Sequence, residues 1–162
     1  MSNTSNTESI SARDIMLTNV VTVSYAAPLS EVERLLVENR ISGMPVVNEA
    51  GHVVGVVSVK DLIERYAEDP DSRPRRGNGY YHMSVSDMDD ADFEAFELPE
   101  EAEETAESLM NTDIFSIEAD ATLPEVAKAM VEHRIHRLLV SEDSRFVGIV
   151  TTLEVLSVMA NE

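Results

Sequence analysis

"IMLTNVVTVSYAAPLSEVERLLVENRI", residues 15–41, lies over "LMNTDIFSIEADATLPEVAKAMVEHRI", residues 109–135, and this overlay decides the fold. After a one-residue deletion, "VGVVSVKDL" at 54–62 lies over "VGIVTTLEV" at 147–155. Repetition at an offset of about ninety-four residues means one supersecondary unit written twice. A copy of about fifty residues is near the lower size limit for folding alone. Two halves with a shared core are therefore expected, and the crevice between them is the surface of interest.

Within each copy the hydrophobic period switches. Val20, Val21 and Val23 read as a short β-branched strand, answered by Ile114, Phe115 and Ile117. Leu29, Val32, Leu35 and Leu36 recur at helical spacing, as do Leu123, Val126 and Met130. Pro28 stands just before the first helix, and Pro124 falls in the first turn of the second, where a missing N–H costs little. Apolar runs at Met44–Val47 and Val53–Val57 flank "NEAGH"; those at Leu138–Val140 and Phe146–Val150 flank "SEDSR". A last helix begins after Ser58 or Thr151, and short helical lead-ins are expected at Ala12–Met16 and Thr105–Met110. The expected class is α/β (α+β), with two β-α-β-β-α repeats. The expected borders are a flexible N-terminus at 1–10, repeats at 11–67 and 105–161, and an acidic linker at 68–104.

Composition narrows the function. The hydrophobic share of 43% suits a globular chain, and a 5% aromatic share without Trp implies an aliphatic core. Without Cys there is neither a disulfide framework nor a thiolate metal site. No apolar run reaches the roughly 18 residues of a membrane helix. "MSNTSNTESIS" lacks the basic start and apolar middle of a signal peptide. A soluble, cytoplasmic protein is expected. A net charge of -19 repels phosphate backbones and argues against nucleic-acid partners. Fourteen acidic residues and three Arg give Glu68–Glu107 a net charge of -11, so the linker holds most of the excess. Its polar composition points to a solvated connection, with Tyr80, Tyr81, Phe93 and Phe96 as apolar anchors that a ligand or partner could order. Asp87, Asp89, Asp90, Asp92 and Glu94 lack the Gly and terminal Glu of a calcium loop, and the four His show no zinc spacing. No nucleophile motif or phosphate-binding lysine loop is present, so no enzyme is expected.

The leads "DIMLTNVVTV" and "SLMNTDIFSI", the cores "VENRISGMPVVN" and "VEHRIHRLLVS", and the closings "GVVSVKDL" and "GIVTTLEV" resemble a tandem cystathionine-β-synthase-type (CBS) domain pair, or Bateman module. The resemblance covers about two-thirds of the chain and leaves the linker out. It implies two repeats packed as a pseudo-twofold pair, with two clefts for adenosine-containing ligands: AMP, ADP, ATP, S-adenosylmethionine or NAD. It also implies a disk-like homodimer and a separate regulated protein, with no obligatory cofactor.

The family's S/T-x-x-D signature falls on Ser58 and Asp61, whose carboxylate would accept from ribose hydroxyls. The same spacing is also a helix capping box, which needs no ligand. In the second repeat it reads Thr151 and Glu154, and the extra methylene of Glu unsettles ribose geometry. His136 and Arg137 fall where a related member, the gamma subunit of the AMP-activated protein kinase, contacts phosphates; Ser42 and Gly43 replace them in the first repeat. Arg137 could equally offset the acidic surface, and His133 and Arg134 read as helix-end cations. Adenine would meet Val21 and Ile41, or Phe115 and Ile135, which could also be plain core. By the family's crossing, Val21 and Ile41 face Thr151, Glu154, His136 and Arg137. Phe115 and Ile135 face Ser58, Asp61, Ser42 and Gly43. Two unequal clefts follow, one with the better acid and one with the cation.

Overall fold

A computed structural model describes residues 7–66, 79–82 and 104–161. Phe93, Phe96 and the acidic cluster at Asp87–Glu94 lie outside them. In chain order the described elements are α1 (Ala12–Ile15), β1 (Val23–Ser24), α2 (Leu29–Asn39), β2 (Gly43–Val47), β3 (Val53–Ser58), α3 (Val59–Tyr66) and α4 (Gly79–His82). There follow α5 (Ala106–Leu109), β4 (Ser116–Glu118), α6 (Leu123–His133), β5 (Arg137–Glu142), β6 (Arg145–Thr151) and α7 (Thr152–Ala160). The α/β class and the duplicated order strand, helix, strand, strand, helix are as the sequence predicts.

The chain divides into two compact units, one of residues 21–114 and one of residues 1–20 with 115–162. In the first, β1 pairs parallel with β2, and β2 antiparallel with β3. A parallel pair needs a crossover, which α2 supplies. Helical spacing puts Leu29, Val32 and Leu36 on one buried face. They join Val23, Met44, Val46, Val57 and Leu62 in one apolar core. The second unit repeats the pattern, β4 parallel to β5 and β5 antiparallel to β6. Its crossover α6 buries Leu123, Val126 and Met130. Pro28 is the N-cap of α2, whereas Pro124 lies inside the first turn of α6 behind Thr122. The Thr122 N–H donates to Glu125 Oε2 at 2.7 Å, closing a capping box.

Three local features differ from the sequence reading. The first strands start late, at Val23 and Ser116, because the parallel ladders begin only at Val23↔Val46 and Ser116↔Leu139. The second hairpin is tighter than "SEDSR" suggests. Asp143 and Ser144 both take positive φ (49° and 64°), as a two-residue turn matched to strand twist requires. In the first hairpin, Asn48 Oδ1 instead accepts from Ala50 N at 3.0 Å and His52 N at 2.9 Å.

The third concerns the lead-ins, each of which packs in the unit built around the other repeat. Leu17 N donates to Ile149 O at 2.8 Å, so the segment after α1 pairs with β6. Asn111 N donates to Val56 O at 2.8 Å, so the segment after α5 pairs with β3. Glycine makes room for both. A Cβ at Gly55 would come within 2.6 Å of Met110 Sδ, and one at Gly148 within 2.6 Å of Leu17 O. Ion pairs Arg13–Glu142 and Arg65–Glu104 tie the same segments down within their units.

Candidate functional site

Each unit carries one copy of the hydroxyl–acid signature where its last strand becomes its last helix. In the first, the Ser58 N–H and hydroxyl both donate to Asp61 Oδ2, at 2.8 and 3.0 Å. Asp61 N returns a bond to Ser58 Oγ at 3.3 Å. The predicted capping box is therefore formed, through one carboxylate oxygen. Asp61 Oδ1 takes no hydrogen bond among the described residues. Ser58 is fully buried and Asp61 half-buried. Burial raises the Asp61 pKa above its ordinary value, outweighing the bonds from Ser58 that lower it.

The neighbouring loop is delivered by a tight helix end. Arg40 caps α2 with φ 50°, a left-handed geometry usually left to Gly or Asn. The chain turns there, Ile41 N donates to Leu36 O at 3.1 Å, and Ser42 O accepts from Val59 N at 2.9 Å. Ser42 is thus fully buried beside the signature, and Gly43 pairs with Ser58 across the β2–β3 ladder. Val21 and Ile41 are half-buried and pack against the first unit's core.

The second unit reproduces this framework. Arg134 caps α6 with φ 53°, Ile135 N donates to Met130 O at 3.0 Å, and His136 O accepts from Thr152 N at 2.9 Å. Thr151 N donates to Glu154 Oε2 at 2.8 Å, the Thr151 hydroxyl donates to the same oxygen, and Leu153 N donates to Thr151 Oγ1 at 3.3 Å. The longer Glu reaches its cap at the same 2.8 Å as Asp61. Arg137 is half-buried opposite Thr151 in the β5–β6 ladder, His136 is exposed and Ile135 is buried. Phe115 is half-buried, and its ring lies 4.9 Å from that of His133, tilted by 44°. His133 therefore has a ring partner that the sequence reading missed.

Each unit gathers its own candidates: Val21, Ile41, Ser42, Ser58 and Asp61 in one, Phe115, Ile135, His136, Arg137, Thr151 and Glu154 in the other. One neighbour of the first set was legible only as an apolar anchor. Tyr80 of α4 reaches Gly43, where a Cβ would stand 2.8 Å from Tyr80 Cδ2. The "YY" pair in a polar linker was the signal; its destination had none. Among the described residues no group of three or more His, Asp or Glu could hold a metal, and no helix is long and apolar enough to cross a membrane.

Known proteins share this fold. The CBS domain family matches the chain twice, at residues 12–68 and 106–161. The 5′-AMP-activated protein kinase subunit gamma-3 of Bos taurus is 28% identical over 87% of this chain and 24% of its own length. Other curated relatives are also longer, the chain spanning 31% of one and 16% of another. Among solved structures, CBSX2 in complex with AMP superposes with a TM-score of 0.67 at 21% identity, over 93% of this chain and 97% of that one. The CBS domain pair of protein MJ0100, in complex with 5′-methylthioadenosine and S-adenosyl-L-methionine, superposes at 0.64 with 20% identity, over 94% and 97%.

Proposed function

From the premise that this chain belongs to the CBS domain family, we propose that it is a non-catalytic regulatory module that binds an adenine nucleotide (AMP, ADP or ATP) between its repeats. The observation that carries this reading is Asp61, a half-buried carboxylate with one oxygen in the cap and Oδ1 without a hydrogen bond among the described residues, an acceptor suited to ribose hydroxyls. The residues proposed to contact the ligand are Val21, Ile41, Ser42, Ser58 and Asp61 in the first unit and Phe115, Ile135, His136, Arg137, Thr151 and Glu154 in the second. Arg137 supplies the permanent, forked charge suited to phosphate. The AMP-bound and S-adenosylmethionine-bound neighbours support an adenosine ligand.

Occupancy acts by population shift, since a ligand that prefers one arrangement of the protein draws the equilibrium toward it. The signal passes to a separate protein, in the cytoplasm, through a homodimer. Leu153, Leu156 and Met159 support the dimer, because they leave an apolar row exposed on α7.

Calorimetry with AMP, ADP, ATP, S-adenosylmethionine and NAD tests the reading. Saturable binding of a nucleotide, weakened in Asp61→Asn, is expected. Silence toward all five would leave a ligand-free interaction module. A second reading, S-adenosylmethionine, is favoured by the MJ0100 complex and by the absence of a cation at Ser42–Gly43. It predicts binding that survives Arg137→Ala.

A further inference from the structure

Tyr80 and Tyr81 belong to the acidic, polar linker, yet they are 1% and 0% exposed. Their rings meet edge to face with centroids 5.1 Å apart, and α4 packs on β2, β3 and α3 of the first unit. Two aromatic rings removed from water make a substantial apolar anchor. The docking point is Gly43, where a Cβ would lie 2.8 Å from Tyr80 Cδ2 and 3.4 Å from Ser58 Cα. Tyr80 thus covers the residue paired with Ser58, and α4 also touches the helix that carries Asp61. The equivalent of Gly43 in the second unit is Arg137, opposite Thr151. A side chain there excludes a ring docked as Tyr80 is.

We propose that α4 is a tethered occupant of the first unit's half-site, so that a ligand reaching Ser58 and Asp61 must displace Tyr80. The inference rests on the reading of Ser58 and Asp61 as ligand contacts. The resting chain then offers one open half-site, at Thr151, Glu154 and Arg137, and one closed by its own linker. A tethered ring acts at high effective concentration. It therefore lowers the apparent affinity of the site it covers in proportion to the fraction of time it is undocked. Ligand at the first site releases α4, which turns occupancy into a change in the acidic linker. The glycine that leaves room for the ring and the tyrosines that fill it form one device, absent from the second repeat.

Calorimetry on the whole chain tests this, with AMP and, separately, S-adenosylmethionine as probes. The wild type should take up one probe molecule per chain with high affinity. Tyr80→Ala combined with Tyr81→Ala should take up two, the second about tenfold more tightly than in the wild type, as a nine-tenths closed resting state implies. Tyr80→Phe keeps the ring and should match the wild type. Because the double variant loses buried surface, a second measurement uses the unaltered chain. Amide exchange at residues 79–82 should accelerate when saturating probe fills the site at Ser58 and Asp61. Unchanged stoichiometry and affinity in the double variant, with Arg137→Ala still weakening AMP binding, overturns the occupant and spares the sensor. Exchange at 79–82 that stays flat or slows under saturating probe also overturns it. Failure of every form to bind either probe removes the sensor reading, and this inference with it.

Discussion

The two signature junctions form almost the same cap and have very different neighbours. At Ser58–Asp61 and Thr151–Glu154 the backbone N–H of the first residue meets the carboxylate at the same 2.8 Å, and the preceding loop supplies one carbonyl at the same 2.9 Å. Beside the first cap stand Gly43 and the buried Tyr80; beside the second stands Arg137. A helix start depends on local geometry, which both copies must satisfy. The surface next to it is free to diverge, and it diverged into a glycine met by an aromatic ring at one junction and an arginine at the other.

The comparison breaks most severely through the core. Leu36→Ala and its counterpart Met130→Ala remove buried side chains that anchor the two crossover helices. Each should cost about 2–5 kcal/mol, read as a lower urea midpoint by circular dichroism. Comparable losses would establish the two units as energetic equals, whereas a small loss for one would show that only the other bears the load. Next in size is Arg137→Ala. Losing a charge-assisted bond to phosphate should weaken AMP binding by about tenfold or more in calorimetry. Retained affinity would remove the cationic half of the contrast.

Glu154→Asp sharpens the comparison by giving the second junction the first one's acid. A few-fold gain in affinity for adenosine is expected if carboxylate reach sets ribose recognition, and no change if Glu154 serves only as a cap. Smallest is a pH effect confined to the first junction. Burial raises the folded pKa of Asp61 above 3.8, so the folded chain holds that proton more tightly than the unfolded one. Its contribution is full below 3.8 and is lost as pH climbs through the raised folded value. Asp61→Asn should therefore flatten the fall in stability across that window, measured as the urea midpoint against pH. An unchanged slope would remove Asp61 as its source.

Much of the candidate site was legible because it is local. The S-x-x-D and T-x-x-E spacings place hydroxyl and acid on one turn, and the structure closes both caps. The helical rows at Leu29–Leu36 and Leu123–Met130 were readable because 3.6-residue periodicity names a buried face without knowledge of its partner. The starts of β1 and β4 were not. Val20, Val21, Ile114 and Phe115 have strand composition, but a parallel ladder is set by where the partner strand lies. Asp143 and Ser144 hid a two-residue turn, since neither carries the glycine that normally marks positive φ.

Taken alone, the sequence determined that one unit is written twice, which residues build its strands and helices, and where two equivalent junctions stand. Those properties follow from spacing within a few turns of chain. Tertiary structure alone decided that each lead-in packs with the other repeat, and that the linker's tyrosines land on Gly43. Short segments carry too little periodicity to name a destination. They settle wherever a distant glycine leaves a gap that a methionine or an aromatic ring can fill, and such gaps exist only once the sheets have formed.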